Sequence, residues 1–157
     1  MKKLSNFIYF LVTFLFFLSV DFYFSNLIVN KLNSGWVYSN DFVNLFYIEN
    51  TGAAFSVLQN SIGVLIIISF LALLFMLYYI IKNLENLLMK ELLCLSLLMA
   101  GIFGNLYERL VFGYVRDFFD LTFVNFPVFN ISDVFINVGV FVIIILILLT
   151  KRPIKFK

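Results

Sequence analysis

Nine carboxylates and no histidine limit the chemistry open to this 157-residue chain. Without His there is no Ser-His-Asp or Cys-His nucleophile and no His-ligated zinc, which leaves carboxylates, hydroxyls, Lys and Arg. Glu85 and Glu91 fall in a short polar turn, KNLENLLMKE, where a solvated surface role suffices. The other seven, Asp21, Asp41, Glu49, Glu108, Asp117, Asp120 and Asp133, lie at or beyond one set of ends of long apolar segments. Asp117 follows one such segment and Asp133 opens the next, so two helices packed side by side would bring them together. Two adjacent carboxyl groups do not both ionise easily: one keeps a proton while the other stays charged. The ionised member can take a proton from a water as it attacks a carbonyl carbon. The protonated member can hydrogen-bond the carbonyl oxygen and later help protonate the leaving nitrogen. This is aspartic-protease chemistry, and it needs no His, Cys or metal.

Plainer roles exist for the same residues. Asp133 follows FNIS and precedes an apolar run, so Asn130, Ser132 or Asp133 could cap a helix, and Asp117 could pair with Arg109 or Arg116. Asp41 and Glu49 read as surface charges, and Arg116 and Asp120 as interfacial ones. Asp21, set among Phe and Tyr, needs a polar partner inside the protein. Cys94 sits in an apolar run and reads as a small buried hydrophobe; a single Cys forms no intrachain disulfide.

The elements that must position these groups are set by composition. The chain is 63% hydrophobic and 13% charged, with 22 Phe, far too little polar surface for a soluble globule of this size. Its net charge of +2 gives no basic field for nucleic acid. Four apolar segments, about 7–24, 62–81, 92–106 and 134–150, approach the length of helix that crosses a bilayer. The third is the shortest and needs its polar end, GNL, to reach the far interface. Lys2, Lys3, Lys82, Lys90, Lys151, Arg152, Lys155 and Lys157 fall on one side of this arrangement, and Lys31, Arg109 and Arg116 on the other. The positive-inside rule then puts both termini, the polar turn and the basic tail KRPIKFK in the cytoplasm. Two segments, about 25–61 and 105–133, lie outside. A cleavable signal peptide at the N-terminus is the other option, but no A-x-A-like site follows the first apolar run. In the first outer segment, GWVYSNDFVNLFYIEN alternates aromatic and polar residues and predicts one or two short strands. The aromatic FDLTFVNFPVFN of the second is expected to rest in the headgroup region as an extended piece. The expected fold is a membrane all-α protein: four transmembrane helices with a small β-like segment between the first two, in a single domain over 1–157.

Four strings in order, VDFYFS (20–25), NTGAAFS (50–56), GNLYERLVFGYVRDFFD (104–120) and FPVFNISD (126–133), resemble the lipoprotein signal peptidase family, or signal peptidase II. The resemblance covers essentially the whole chain. It implies that Asp117 and Asp133 are the catalytic pair. It further implies that Asn50, Gly52, Asn105, Arg109 and Asn130 bind substrate or hold the pair in place, and that Asp21 serves positioning or folding. The chain departs from the family pattern in four places. Glu108 stands where Asp is usual, Ser25 where a Lys usually follows the first-span Asp, Ser132 for Ala and Val134 for Ser. The departures touch the supporting contacts and none of the groups expected to react.

The same resemblance implies the substrate, the signal peptide of a bacterial prolipoprotein whose Cys already carries diacylglycerol. Cleavage just before that Cys is expected at the outer face of the cytoplasmic membrane. The expected enzyme is a monomer embedded in membrane lipid, without cofactor or metal and without a nucleic-acid partner, and it is sensitive to the cyclic peptide globomycin. The competing class is a small transporter or proton-relay subunit built on Asp21, Asp117 and Asp133. A relay would spread acids through the membrane depth, whereas these gather at one interface.

Overall fold

A computed structural model describes residues 1–53 and 58–149. The basic tail, Thr150 at the end of the fourth predicted span, and the AAF and Ser56 part of NTGAAFS lie wholly or partly outside the described residues. Among the described residues are four helices long and apolar enough to cross a membrane: α1 (Lys2–Asn33), α2 (Ile62–Asn83), α3 (Met89–Phe112) and α4 (Ile131–Leu149). Strands β1 (Tyr38–Ser39), β2 (Val43–Asn50) and β3 (Val115–Leu121) form an antiparallel sheet in the order β1-β2-β3.

At a rise of 1.5 Å per residue, α1 runs about 48 Å and overshoots a bilayer core of about 30 Å, and it packs against β2 and β3. Hydroxyls along it are satisfied locally: Thr13 donates to the carbonyl of Tyr9 at 2.9 Å and Ser19 to that of Leu15 at 2.7 Å, as hydroxyls in lipid must. The opposite end of the bundle is closed by Asn6, whose buried amide donates to the carbonyl of Leu84 at 2.6 Å and ties the start of α1 to the α2–α3 turn. Glu91, expected to be a solvated charge, accepts from the N–H of Leu88 at 2.7 Å and caps α3.

α3 is the hub, packing against α1, α2, α4 and β3. Half of its most apolar window is buried, against 11% for each of the other three helices. This explains its weak appearance in the sequence: a helix wrapped by protein need not be greasy all round, and it can carry Ser96, Asn105, Glu108 and Arg109, all buried. The predicted 92–106 segment is only its middle. The helix continues another turn and a half to Phe112, so Asn105 and Arg109 lie within it, one turn apart. Close approach of α3 and α4 depends on glycine. A Cβ on Gly101 would meet the carbonyl oxygen of Ser132 and lie 2.8 Å from Cγ1 of Ile136, and one on Gly139 would lie 2.9 Å from Cβ of Leu98. Small residues of this kind let membrane helices pack backbone to backbone.

The strands expected between the first two helices are present as β1 and β2. Their third partner comes from the other outer segment, which is sheet over β3 and irregular beyond it. A register irregularity between Leu45 and Ile48 bends β2 across β3, so that Leu45 faces Phe119 while Ile48 faces Asp117. Trp36, Val37, Tyr38, Phe42 and Phe123 remain exposed on and beside the sheet, consistent with an aromatic layer at a membrane interface.

Candidate active site

Gly113 closes α3 in the left-handed region at φ +81°, its N–H bonded to the carbonyl of Arg109 at 3.1 Å. The chain can then reverse directly into β3, which holds Asp117, 1% exposed, beneath β2. From β2, Asn50 reaches across and its Nδ2 donates to Oδ2 of Asp117 at 2.8 Å.

The second carboxylate is brought in by Phe129. Its backbone pairs with β3 through Phe119 N–H to Phe129 O at 2.9 Å and Phe129 N–H to Phe119 O at 3.1 Å. Asn130 is thereby seated beside Asp117, and its Nδ2 donates both to Oδ1 of Asp117 and to Oδ1 of Asn105, each at 3.0 Å. Asn130 also caps α4. Its Oδ1 accepts from the Asp133 N–H at 2.9 Å, and its own N–H donates to Oδ2 of Asp133 at 3.2 Å, a reciprocal capping box. The remaining oxygen of Asp133, Oδ1, accepts from Nδ2 of Asn105 at 2.8 Å. Every oxygen of the two carboxyl groups thus receives one N–H, and Asn130 touches both groups.

Arg109, buried at 9% exposure, donates through one Nη to the carbonyl of Gly52 at 2.8 Å and through the other to that of Asn105 at 3.3 Å. Gly52 in turn donates its N–H to Oδ1 of Asn50 at 2.9 Å, which fixes the Asn50 amide with its NH2 toward Asp117. Burial, and after it the charge of Asp133, push the Asp117 carboxyl up to about 7, against the opposing pull of Asn50, Arg109 and Asn130. The two carboxyl groups share a cleft of about 690 Å³ with Asn50, Asn105, Arg109 and Asn137. Such a cleft, with a pair of acids at one end, suits a water and an extended peptide.

Seven of the eight residues singled out in the sequence therefore meet in one network. The eighth, Asp21, lies just below it: buried on α1, it accepts from Ser132 Oγ at 2.7 Å and from Ser25 Oγ at 3.3 Å. Asp21 has the polar partners its position demanded. Both come from positions where the chain departs from the family pattern. Gly104 leaves room for this contact, since a Cβ there would collide with the Asp21 carboxylate and the Ser132 hydroxyl.

Two contacts add to the sequence reading. Arg116 forms an ion pair with Glu108, not with Asp117, both side chains largely buried, and its guanidinium stacks 4.5 Å from the Phe112 ring. Glu108 also accepts from the Arg116 N–H at 3.0 Å, so the pair pins the start of β3 to α3 one residue before Asp117. Asp120 accepts from Nδ2 of Asn44 at 3.2 Å across the sheet. Nothing local in the sequence marks either contact, because each partner comes from a different element.

The sequence model of the family described as Signal peptidase (SPase) II matches residues 13–149. The chain belongs to the signal peptidase II family. Relatives include the lipoprotein signal peptidases of Caldicellulosiruptor bescii, 42% identical over 106 residues (68% of this chain and 67% of that one), and of Buchnera aphidicola subsp. Schizaphis graminum, 38% identical over 154 residues (92% and 96%). That of Streptococcus pneumoniae is 38% identical over 115 residues, 73% of each chain. A bacterial membrane enzyme solved by the in meso method at 2.3 Å resolution superposes with a TM-score of 0.78 at 29% identity, covering 93% of this chain and 94% of that one. As a signal peptidase II the protein is a multi-pass membrane peptidase, with the cleft at the sheet end of its helix bundle.

Proposed function

We propose that this signal peptidase II cleaves the signal peptide of diacylglyceryl-modified prolipoproteins just before the lipidated Cys, with Asp117 and Asp133 as its catalytic pair. One observation carries the assignment: both carboxyl groups open on the same cleft and are bridged by Asn130, which touches each of them. With one proton between the pair, the charged carboxylate takes a proton from the attacking water while the protonated partner polarises the scissile carbonyl. Collapse of the tetrahedral intermediate breaks the C–N bond, and a proton passes from the pair to the leaving amine of the Cys. Asn50, Asn105 and Asn130 orient the acids. Arg109 and Gly52 hold the Asn50 strand end over them, and Asp21 supports the start of α4 through Ser132.

The protein acts as a monomeric single domain in membrane lipid, with the cleft near the outer face and both termini in the cytoplasm. Charge placement supports this orientation. So does the bundle itself, in which Asn6 joins the start of α1 to the lysine-bearing α2–α3 turn, at the end opposite the sheet. The signal-peptide helix would lie alongside the bundle in the bilayer, with its end at the cleft.

Processing of a diacylated prolipoprotein by Asp117→Asn and Asp133→Asn tests the pair. Each variant should insert and fold yet lose activity by about 10³-fold or more, in keeping with removal of a positioned acid or base. Wild-type turnover in either folded variant sinks the assignment. Proton flux without cleavage in the wild type would favour the relay reading instead.

A further inference from the structure

Most of α4 is Ile, Leu and Val, but Asn137 stands four residues after Asp133 and is exposed. An exposed amide on a helix in hydrocarbon is costly unless it faces a polar cavity or a partner. This one lines the same cleft as the two carboxyl groups. Its Nδ2 gives one hydrogen to the Asp133 carbonyl at 2.9 Å. The second Nδ2 hydrogen and the whole of Oδ1 have no partner among the described residues. The free part of this amide offers one donor and one acceptor, the same pair that a backbone peptide unit needs.

An extended peptide in a lipid-facing cleft must have its N–H and C=O groups satisfied by the protein. Four residues of helix place Asn137 about 6 Å from Asp133, on the side of the bundle away from the sheet. About two residues of extended chain span that distance at roughly 3.3 Å each. The substrate's apolar stretch precedes the cleaved bond, so it is the upstream side of the peptide that lies there.

We infer that Asn137 is a substrate-binding residue, whose side-chain amide pairs with the backbone of the second or third residue upstream of the scissile bond. This contact rests on the reading of Asp117 and Asp133 as the catalytic pair, because they define where the scissile bond sits. Asn137 touches no reacting atom. It holds the upstream chain extended against α4, so its effect should fall on KM and leave kcat close to wild type.

Synthetic diacylated lipobox peptides, in which one upstream amide at a time is replaced by an ester, remove a single N–H donor. The wild-type enzyme should show about a tenfold rise in KM for an ester placed at the second or third upstream residue, the effect of leaving the Asn137 acceptor unpaired, and little change for esters further upstream. Asn137→Leu, close in size and at home in an apolar helix, should raise KM by a similar factor on the all-amide peptide and show no added loss with the ester. An unchanged KM in a folded Asn137→Leu enzyme, or an ester penalty that persists in it, overturns the inference. If that variant fails to insert, the wild-type ester series decides alone: no rise at either position overturns the contact, and a rise at one of them sustains it. Asp117→Asn, run on the same peptides, keeps the two readings apart. Full activity there removes the catalytic pair whatever Asn137 does, whereas an inactive Asp117→Asn enzyme beside an unaltered Asn137→Leu enzyme removes only the substrate contact.

Discussion

Asn130 shows why the plain and the chemical reading of one residue need not compete. It caps α4, as its place before an apolar run suggests, and the same amide reaches Asp117 on another element. Asp133 likewise completes the capping box and shares the cleft with Asp117. Asp117 is pushed up to about 7 by burial and by Asp133, so the proposed mechanism, which needs one proton on the pair, predicts that kcat/KM falls as pH rises through that region. The hydrogen bond from Asn50 favours the charged form, so Asn50→Leu should move this alkaline limb to higher pH, as a pH–rate profile would show. Stability carries the same sign. A carboxyl whose folded pKa lies above its unfolded value binds its proton more tightly in the native state. Thermal stability in detergent should therefore decline from about pH 4 to about pH 7, and less so in Asp117→Asn. At this scale the sequence was legible where the cleft is built from motif residues: the carboxylates and the asparagines that meet there. It did not show the partners of Ser132 and Arg116, namely Asp21 and Glu108, which lie on other elements.

At the scale of elements, α3 and its glycines set the geometry. Gly101→Ala would drive a methyl into the backbone of α4 at Ser132 and Ile136. A cost of about 1–3 kcal/mol is typical of overpacking, and it should appear as a lower melting temperature together with reduced activity, since the start of α4 carries Asp133. The Glu108–Arg116 pair makes a second test. Glu108→Ala leaves a largely buried guanidinium unpaired and should destabilise by about 3 kcal/mol, whereas adding Arg116→Met should restore much of that loss, read as a double-mutant cycle in thermal unfolding. Three of the four helices announced themselves as apolar runs because lipid surrounds most of their surface. α3 was cut short because a helix enclosed by protein can afford polar residues. β3 was missed for a related reason: its pairing with β2 spans more than sixty residues of chain, and no local alternation records a partner that far away.

At the scale of the whole molecule, the cleft and the sheet stand at one end of the bundle and the Asn6 clamp at the other. A reporter fused near Val124 should lie outside the cytoplasm, and one in the α2–α3 turn inside it; a cytoplasmic signal at Val124 would defeat the proposed orientation. The two backbone hydrogen bonds between Phe119 and Phe129 have a mechanical consequence. They bolt the strand bearing Asp117 to the residue that precedes the α4 cap, so the spacing of the acids is held by a short stretch of sheet as well as by the packing of α4 on α3. Membranes of different thickness make helices lean by different amounts, and an enzyme whose reacting groups sat on two freely leaning helices would be tuned to a single lipid. With Asp117 and Asp133 as the proposed pair, this strand tie predicts that kcat stays nearly constant in vesicles of shorter and longer acyl chains, with the dependence on thickness confined to KM.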